Sequence, residues 1–311
     1  MTFSLVTAYP NGVSSFGIPV IGGVPVSVFG NFWFVNTTST FNGDGKSPAS
    51  PFTTMAQALT AGGLGDNDVV FVRGKVREQL VAPVGVTGVK IVGMVGGNIR
   101  DDDGVKWYAP ASPVAGQALI EILEQGWEFH NILFSPDTSS GACIKAHRNE
   151  DATYPDSSHF VVRNCRFVGT SLTTTYGIQD VGGNHHYIIE DCEFQTLTNA
   201  IYCSSTSIAV PLRNTIRNNK FMGNTNDITT SLSYSLIEGN RFFTAGSGAT
   251  NKVISTTFNS SQGGLNLVTG NVFPNTEAQI APGNGYTGAA DDTWTGNLVN
   301  NQAAYAFGQP A

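Results

Sequence analysis

A six-residue pattern of apolar and polar positions recurs along the chain from residue 129 to residue 299. Its first position is apolar, its third is Asn, Asp or Gly, and its last is Phe in six of seven copies. The copies occupy residues 129–134, 162–167, 189–194, 216–221, 237–242, 268–273 and 294–299. A fixed motif with intervening segments of variable length is typical of a solenoid built from repeated units.

Each position of the repeat predicts a structural role. The apolar first and last positions point into a core, and the Phe residues stack on one another along it. The third position holds the residue types that tolerate the left-handed backbone of a sharp bend. The fourth position is Cys in two copies and Asn in four, which predicts a ladder of stacked amides between neighbouring repeats.

A second apolar column follows the first. Its members are isoleucines that follow the Phe after seven, ten or eleven residues: Ile144, Ile178, Ile201, Ile228 and Ile280. Two apolar columns predict a coil of short parallel strands in which successive turns, or rungs, stack about 4.8 Å apart. Residues 89–299 provide about seven to eight such rungs. The sequence therefore predicts an all-β protein, a single-stranded right-handed parallel β-helix.

Charged residues follow the same register. The second repeat position alternates in sign through Arg163, Glu190, Arg217 and Glu238. The fifth position holds Arg166, Glu193, Lys220 and Arg241. Opposite charges on neighbouring strands attract one another, so these columns predict outward-facing ion-pair ladders with a structural role.

The two ends of the coil need caps, because an open β-helix exposes its core and its strand edges. Residues 50–59 predict a short amphipathic capping helix with Ser50 as N-cap and Pro51 at the first helical position. We expect the β-helix to occupy residues 31–280 and residues 281–311 to form an irregular C-terminal cap.

The first thirty residues lie outside the repeat and form an apolar, Gly/Pro-broken segment. Its apolar side chains include Ile18, Val20, Ile21, Val24 and Val26. Three interpretations are open for such a segment: disorder, packing along the stem, or docking on another chain. We favour an attachment arm, because an exposed apolar extension usually marks an interaction site.

Composition narrows the classes of function. Charged residues make up only 13% of the chain, and the net charge is −7. The sequence has no basic stripe that could neutralise phosphates, so a nucleic-acid partner is not expected. No apolar run approaches the length of a membrane span, and the first residues do not resemble a secretory signal. Cys143, Cys165, Cys192 and Cys203 lie in apolar strand patterns, which predicts reduced core thiols and assembly in a reducing cytoplasm.

Three short motifs near the N-terminus resemble the opening of pectate-lyase-like β-helix proteins. They are FWFVN at residues 32–36, GDGKSP at 43–48 and PFT at 51–53. With its apolar arm and no large extra domain, the chain resembles the β-helix proteins of tailed-bacteriophage virions. The resemblance implies a virion surface protein, a homotrimer that decorates the capsid or serves as a fibre or spike, assembled in the bacterial host cytoplasm.

The acids predicted on the outer face are the candidate catalytic residues. Glycosidases need two carboxyl groups about 5 Å apart, or about 6.5–9.5 Å apart for inversion. Asp180 and Asp227 are the best outer-face acids outside the ion-pair columns, and two rungs, about 10 Å, should separate them. The polygalacturonase signature set is absent: the sequence has no His-Gly and no Arg-Ile-Lys step to accompany an Asp-Asp pair.

Two polar motifs contain residue types that bind metal ions. Asp101, Asp102 and Asp103 could ligate Ca²⁺, but a solvated turn is the simpler interpretation. His185 and His186 are adjacent on the chain, so on a strand they would point to opposite faces and not share a metal. We therefore predict turn or surface histidines, and no metal or cofactor.

The leading hypothesis is a non-enzymatic virion protein, a capsid decoration or cement protein bound through residues 1–30 to the major capsid protein or another virion protein. The alternative is a tailspike or tail fibre that binds or cleaves a bacterial surface polysaccharide, as a glycoside hydrolase or polysaccharide lyase. Passive glycan binding is a third hypothesis, which the sequence neither supports nor opposes.

Overall fold

The computed structural model is a coil of short strands, and it describes most but not all of the chain. The described residues are 13–15, 18–20, 30–60, 63–94, 104–136, 141–147, 156–169, 175–203, 211–243, 253–256, 264–274, 286–288, 291–299 and 306–307. For residues 13–15, 18–20, 286–287, 299 and 306–307 only the backbone is described.

The strands, numbered β1 to β30 along the chain, form three stacked sheets and a separate hairpin. Sheet 1 contains β3 (Phe32–Asn36), β4 (Val69–Arg73), β7 (Lys90–Gly93), β10 (Glu128–His130), β13 (Val161–Arg163), β16 (Ile188–Glu190), β19 (Thr215–Arg217), β22 (Leu236–Glu238), β25 (Leu267–Thr269) and β28 (Thr293–Thr295). Sheet 2 contains β5 (Lys75–Arg77), β8 (Lys106–Tyr108), β11 (Leu133–Ser135), β14 (Arg166–Val168), β17 (Glu193–Gln195), β20 (Lys220–Met222), β23 (Arg241–Phe242), β26 (Val272–Phe273), β29 (Asn297–Val299) and β30 (Ala306–Phe307). Sheet 3 contains β6 (Leu80–Val81), β9 (Ile120–Ile122), β12 (Ala142–His147), β15 (Tyr176–Val181), β18 (Asn199–Cys203), β21 (Asn226–Thr229), β24 (Ile254–Ser255) and β27 (Tyr286–Thr287).

Each rung supplies one strand to each sheet in turn, and neighbouring strands from successive rungs pair in parallel, apart from the terminal β30. The fold is therefore a single-stranded, right-handed parallel β-helix, as predicted, with the hand usual for parallel crossovers. Eight described strands of sheet 1, β7 to β28, lie between residues 89 and 299, which agrees with the predicted number of rungs.

The C-terminal boundary of the stem was predicted too early. Strands β27, β28 and β29 pair in parallel with the preceding rung, so the stem continues to Val299 rather than ending at residue 280. The chain then turns back, and β30 pairs antiparallel with β29. The reason is that residues 294–299 keep the inward Trp294 and the ladder residue Asn297 of a full repeat, although they lack its final Phe.

The capping helix is present but begins four residues later than predicted. Helix α1 spans Met55–Thr60, and Thr54 and Gln57 form a capping box at its start. The Glu78 carboxylate accepts hydrogen bonds from the backbone N–H groups of Met55 and Ala56, both at 2.8 Å. Because that carboxylate satisfies the first helical donors, Pro51 is not needed as an N-terminal helical residue.

Helix α1 buries Met55, Ala58 and Leu59 in the main core, against the terminal strand β3. Phe52 precedes the helix and stacks on Trp33 of β3, with ring centroids 5.9 Å apart. The helix therefore covers the N-terminal end of the core.

Stacked side chains fill the core. The first repeat position forms a buried column in sheet 1, and the Phe residues form a second column in sheet 2. Neighbouring rings from Phe134 to Phe273 are parallel, with centroids 4.7–5.2 Å apart. In sheet 3, Ile144, Ile178, Ile201 and Ile228 form the third column. Ile280 lies outside the described residues; the column continues instead through Ile254 to Tyr286.

The turn between sheets 1 and 2 has the conformation that the repeat predicts. Its third-position residues all have φ between 48° and 65°: Asn131, Asn164, Asp191, Asn218, Gly239, Gly270 and Gly296. Beside them runs the predicted amide ladder. The Asn219 side chain accepts from the Cys192 N–H (2.9 Å) and donates to the Ile189 carbonyl (2.9 Å). Cys192 occupies the same site one rung earlier, where its thiol donates to the Val162 carbonyl at 3.6 Å.

All four cysteines are buried free thiols, in agreement with the predicted core positions. Burial raises the pKa of the Cys143 thiol well above its usual range. In the part of the chain that the structure describes, no helix is long and apolar enough to cross a membrane.

The N-terminal segment contributes a hairpin that is not part of the stack. Strands β1 (Val13–Ser15) and β2 (Ile18–Val20) pair antiparallel and form a two-stranded sheet of their own. Ile21, Val24 and Val26 of the predicted arm lie outside the described residues.

Candidate functional site

Asp180 lies in the interior of the stem. On β15 it shares a column with Ala146 and Cys203 of the neighbouring rungs. Its carboxylate accepts hydrogen bonds from the Asn184 backbone N–H (3.0 and 3.1 Å) and from Asn184 Nδ2 (2.5 Å). Burial raises the pKa of Asp180 to about 6, and the hydrogen bonds from Asn184 partly oppose this rise. This acid holds the turn after β15 and does not face solvent.

Asp227 is buried as well. It lies on β21 with only 2% of its surface exposed, and Asn224 Nδ2 donates to its Oδ1 at 2.9 Å. Burial raises the pKa of Asp227 to about 8, with the bond from Asn224 as the opposing effect. The carboxyl group is therefore mostly protonated at neutral pH.

The prediction of Asp180 and Asp227 as an outer-face catalytic pair is wrong. Their strands are two rungs apart, as expected. Asp180, however, lies two residues after the column position Ile178, whereas Asp227 lies one residue before Ile228. Three strand positions and two rungs separate the two by about 14 Å, beyond the range of an inverting pair. Both side chains are also enclosed by the core.

The structure brings together a different acidic group on the outer face of sheet 1, which we call the Glu128 cluster. Glu128 Oε1 lies 3.0 Å from Lys90 Nζ on the preceding rung, and Glu128 Oε2 lies 2.8 Å from His130 Nε2 on the same strand. Burial alone would raise the pKa of Glu128, but the hydrogen bonds from His130 and Lys90 outweigh it and lower that pKa.

The Glu128 cluster borders an apolar patch on the same outer face. His130 pairs with Val92, which packs with Val69 and Phe71 in a small buried cluster separate from the main core. Only 4% of the His130 side chain is exposed. An ionised carboxylate in this setting is suited to act as a base or to stabilise a positive charge, but not to donate a proton.

A second cluster of the same composition lies on sheet 3. Glu121 Oε2 is 2.9 Å from His147 Nε2 and 3.7 Å from Lys145 Nζ. Burial opposes ionisation of Glu121, but the bond from His147 and the charge of Lys145 lower its pKa overall. The two clusters therefore share one design, a carboxylate held between an ammonium and an imidazole.

The predicted charge ladders are present in register. Glu190 forms ion pairs with Arg163 on one neighbouring rung and with Arg217 on the other. On sheet 2, Arg166 Nε lies 2.8 Å from Glu193 Oε1. These carboxylates are used in stacking the rungs, as the alternation of charge predicted.

The paired histidines lie in a turn before β16, in agreement with the prediction. His186 has a φ of 57°, and its ring stacks on His159 of the preceding rung with centroids 4.7 Å apart. Burial, followed by the charges of His159 and Arg213, lowers the pKa of His186. Among the described residues no three His, Cys, Asp or Glu side chains lie close enough to hold a metal ion. Asp101, Asp102 and Asp103 lie outside that part of the chain.

Glu128, His130 and Lys90 were not predicted as site residues from the sequence. Glu128 and His130 stand two residues apart on a predicted strand, which places both on one face. This spacing is the feature of the sequence from which the Glu128–His130 pair could have been predicted. Lys90, 38 positions earlier, could be added only once the register of β7 and β10 was known.

Comparison with known proteins gives matches among solved structures, at low sequence identity. No family model matches the chain, and no curated protein is significantly similar to it. Among solved structures, the deglycosylated pectin methylesterase from Aspergillus niger is 14% identical over 88% of this chain and 85% of its own, with a TM-score of 0.48. The PL6 family alginate lyase AlyGC is 12% identical with a TM-score of 0.41, and the match covers 92% of this chain but only 42% of the lyase.

Proposed function

We propose that this chain is a structural surface protein of a tailed-phage virion, a decoration or cement protein attached through residues 1–30. The proposed partner is the major capsid protein or another virion protein, and the proposed state is a homotrimer. The virion setting comes from the resemblance of a β-helix with an apolar N-terminal arm to the β-helix proteins of tailed-phage virions. The mode of attachment comes from the hairpin.

The observation that carries the proposal is that β1 and β2 pair only with each other among the described strands. An isolated two-stranded hairpin is at best marginally stable in water. Each of its outer edges also has backbone groups that can pair with a strand of another protein. A partner surface would therefore stabilise this segment, and an apolar arm of this kind suits such docking.

The chemistry of the stem supports a structural role. Glu121, Glu128, Glu190 and Glu193 each form an ion pair on the outer face, and Asp180 and Asp227 are enclosed by the core. These acids therefore contribute to a continuous, internally bonded stem. A stem of this kind is suited to a structural role on the surface to which the arm attaches.

The test is a binding experiment with particles assembled without this protein. The full chain, an Ile18→Asp/Val20→Asp variant and a Val84→Asp/Val114→Asp control are mixed with the particles, and the bound protein is measured after sedimentation. Val84 and Val114 are exposed on the stem, so the control makes the same chemical change away from the arm. We expect the arm variant to lose at least about tenfold in affinity and the control to bind normally. Equal binding of all three proteins would contradict attachment through the arm.

A second candidate, cleavage of a bacterial surface polysaccharide, is favoured by one observation, the Glu128 cluster. The cluster places an ionised carboxylate, an imidazole and an ammonium within hydrogen-bonding distance on the outer face. Proton abstraction or transfer requires groups of these types in contact. Asp180 and Asp227 have no part in this version of the hypothesis.

The test of this candidate uses polysaccharide purified from the host cell surface, incubated with the full chain and analysed by size-exclusion chromatography. Cleavage that is lost in Glu128→Gln and kept in Glu238→Gln, an exposed glutamate on the same sheet, would support the candidate. No cleavage by the full chain, or equal cleavage by both variants, would exclude the Glu128 cluster as the catalytic site.

A further inference from the structure

The turn that enters sheet 1 carries a column of residues with a left-handed backbone. Two residues before each strand from β7 to β25, φ is 72° at Gly88, 76° at Gly126, and between 50° and 64° at the five that follow: His159, His186, Arg213, Tyr234 and Leu265. The backbone N–H of each residue from Gly88 to Tyr234 donates to the carbonyl before the next member of the column. Glycine suits this backbone best, so five larger side chains in succession indicate that the side chains themselves are used.

Three consecutive members of this turn are basic: His159, His186 and Arg213, which we call the basic column. The His159 and His186 rings are parallel, with centroids 4.7 Å apart, and Arg213 follows on the next rung. His159 and Arg213 are exposed, and His186 is partly exposed. Burial, and then the charges of His159 and Arg213, lower the pKa of His186, whereas the charge of Asp156 acts in the opposite direction. The three basic groups therefore repel one another when they are charged.

The basic column has no acid to neutralise it. Among the described residues, none of its three side chains forms a hydrogen bond or an ion pair with another side chain. The neighbouring Arg217, by contrast, pairs with Glu190. His186 Nδ1 is enclosed without a partner, which leaves Nε2 as the nitrogen open to a ligand. The column therefore presents positive charge and N–H donors that the fold itself does not use.

The neighbours of the basic column are already engaged. His185 Nδ1 accepts a hydrogen bond from the Leu212 backbone N–H at 2.9 Å, so this imidazole serves the backbone. Asp156 Oδ1 accepts a hydrogen bond from the Ser158 backbone N–H at 2.8 Å. Asp156 acts on His186 through its charge without forming an ion pair with it. An external anion would therefore find the donors of the column available.

A phosphate group matches this set of donors. An arginine fork can donate two parallel N–H bonds to an oxyanion, and each imidazole adds at least one more donor. A phosphate group offers three strong acceptor oxygens and about two negative charges at neutral pH, whereas a carboxylate has two oxygens and a single charge. The net charge of −7, and the exposed Asp291 three rungs beyond Arg213, disfavour a long polyanion. The column therefore suits an isolated phosphate group.

We propose that the basic column binds a phosphate group, with Arg213 and His186 as its main donors and His159 on the neighbouring rung. Tyr234 occupies the rung after Arg213 and is 61% exposed, so its ring lies where the group that carries a phosphate ester would pack. The proposal uses none of the residues that carry attachment or the cleavage hypothesis. Failure of either of those therefore leaves it standing.

The test is a titration of the full chain with inorganic phosphate at constant ionic strength, followed by NMR of the ring protons of its five histidines. Acetate is the carboxylate control. Arg213→Gln and His186→Asn each remove one donor, and Asn tolerates the left-handed backbone, so the second variant keeps the turn. Arg241→Gln is the matched control, because Arg241 is also exposed and lacks an acidic partner in the described part of the stem. Circular dichroism checks the fold of each protein.

We expect phosphate to shift the ring resonances of His159 and His186 saturably, and acetate to leave them unchanged. Binding should weaken at least about tenfold in Arg213→Gln and His186→Asn and stay the same in Arg241→Gln. No saturable shift in the full chain, equal shifts with acetate, or equal binding by all four proteins would overturn the proposal.

A parallel titration with glucose 6-phosphate separates the two sources of a phosphate group. Tighter binding of the ester than of inorganic phosphate, reduced in Tyr234→Ala, would support a phosphate carried on a sugar. Tighter binding of inorganic phosphate would support the free ion as the ligand.

Discussion

Asn240 and Asn271 occupy the same position on neighbouring rungs, and Asn271 Oδ1 accepts two hydrogen bonds from Asn240. The Asn240 backbone N–H donates at 2.9 Å and its Nδ2 donates at 3.0 Å. Asn240 Oδ1 accepts the same pair from Asn219, and its Nδ2 also lies 2.9 Å from the Ile216 carbonyl. Each amide therefore accepts the buried backbone N–H of the turn one rung earlier and adds a hydrogen bond to a strand carbonyl.

Replacement of Asn240 by Ala should destabilise the stem by about 1–3 kcal/mol. It leaves the buried Asn219 N–H without its partner and removes the side-chain hydrogen bond to the Ile216 carbonyl, and an orphaned buried donor costs about 1–3 kcal/mol. The measurement is the free energy of unfolding in urea. The control is Thr295→Ala, at an exposed position, for which we expect a change within about 0.5 kcal/mol. A similar small change for Asn240→Ala would show that the ladder is dispensable.

The aromatic column predicts a larger loss. Phe194 is fully buried between Phe167 and Phe221, with ring centroids at 4.7 and 5.1 Å. Phe194→Ala should cost about 3–5 kcal/mol, because it removes both stacking contacts and leaves a cavity. Phe194→Leu, which keeps most of the volume, should cost less. Phe41→Ala, at an exposed ring, is the control, and a loss as large there would contradict the assignment of the core.

The buried Asp227 predicts a pH dependence of stability. Its pKa is about 8 in the folded protein, against about 3.9 in an unfolded chain. Between about pH 4 and pH 8 the folded state keeps a proton that the unfolded state loses, so stability falls as pH rises through this window. Asp227→Asn has no carboxyl group to ionise. The variant should therefore match the native protein at about pH 4 and become progressively more stable than it towards pH 8.

Urea unfolding of the native protein and Asp227→Asn at several pH values measures this difference. The comparison cancels the contributions of all other titrating groups. If the native protein and Asp227→Asn differed in unfolding free energy by the same amount at every pH from about 5 to about 8, Asp227 would have to be ionised in the folded protein over that whole range.

The Glu128 cluster predicts the opposite trend. Its partners hold the pKa of Glu128 below the ordinary value of about 4.3. The carboxylate therefore adds stability at neutral pH that is lost as pH falls through the folded pKa. Glu128→Gln should cost about 1–2 kcal/mol at pH 7 and progressively less towards pH 3. Glu238→Gln is the exposed control, and a cost for Glu128→Gln that does not change with pH would argue against an ionic interaction.

The repeat predicted the fold in detail because one six-residue motif contains a strand, a turn and a second strand. Phe167, Asn164 and Arg163 each belong to a column in which every copy has the same physical requirement. Agreement between copies compensates for the weakness of the signal in any one of them. The segments that lead to sheet 3 vary in length, so the column there could be followed to Ile228 but not to Ile254.

The candidate site was harder to predict, because one position along a strand decides whether a side chain faces the core. Asp180 was assigned to the outer face, yet it shares the inward face of its strand with Ile178. The pairing of Lys90 with Glu128 joins residues from different rungs, and no local pattern contains both.

Localisation tests the central claim, attachment to a virion, most directly. Antibody-gold labelling of purified phage particles, viewed by electron microscopy, shows whether the protein is present and where. Label distributed over the capsid, and lost when residues 1–30 are deleted, is the predicted result. Particles without label, or label that persists without residues 1–30, would contradict the account; label confined to the tail would overturn the decoration role in favour of a spike.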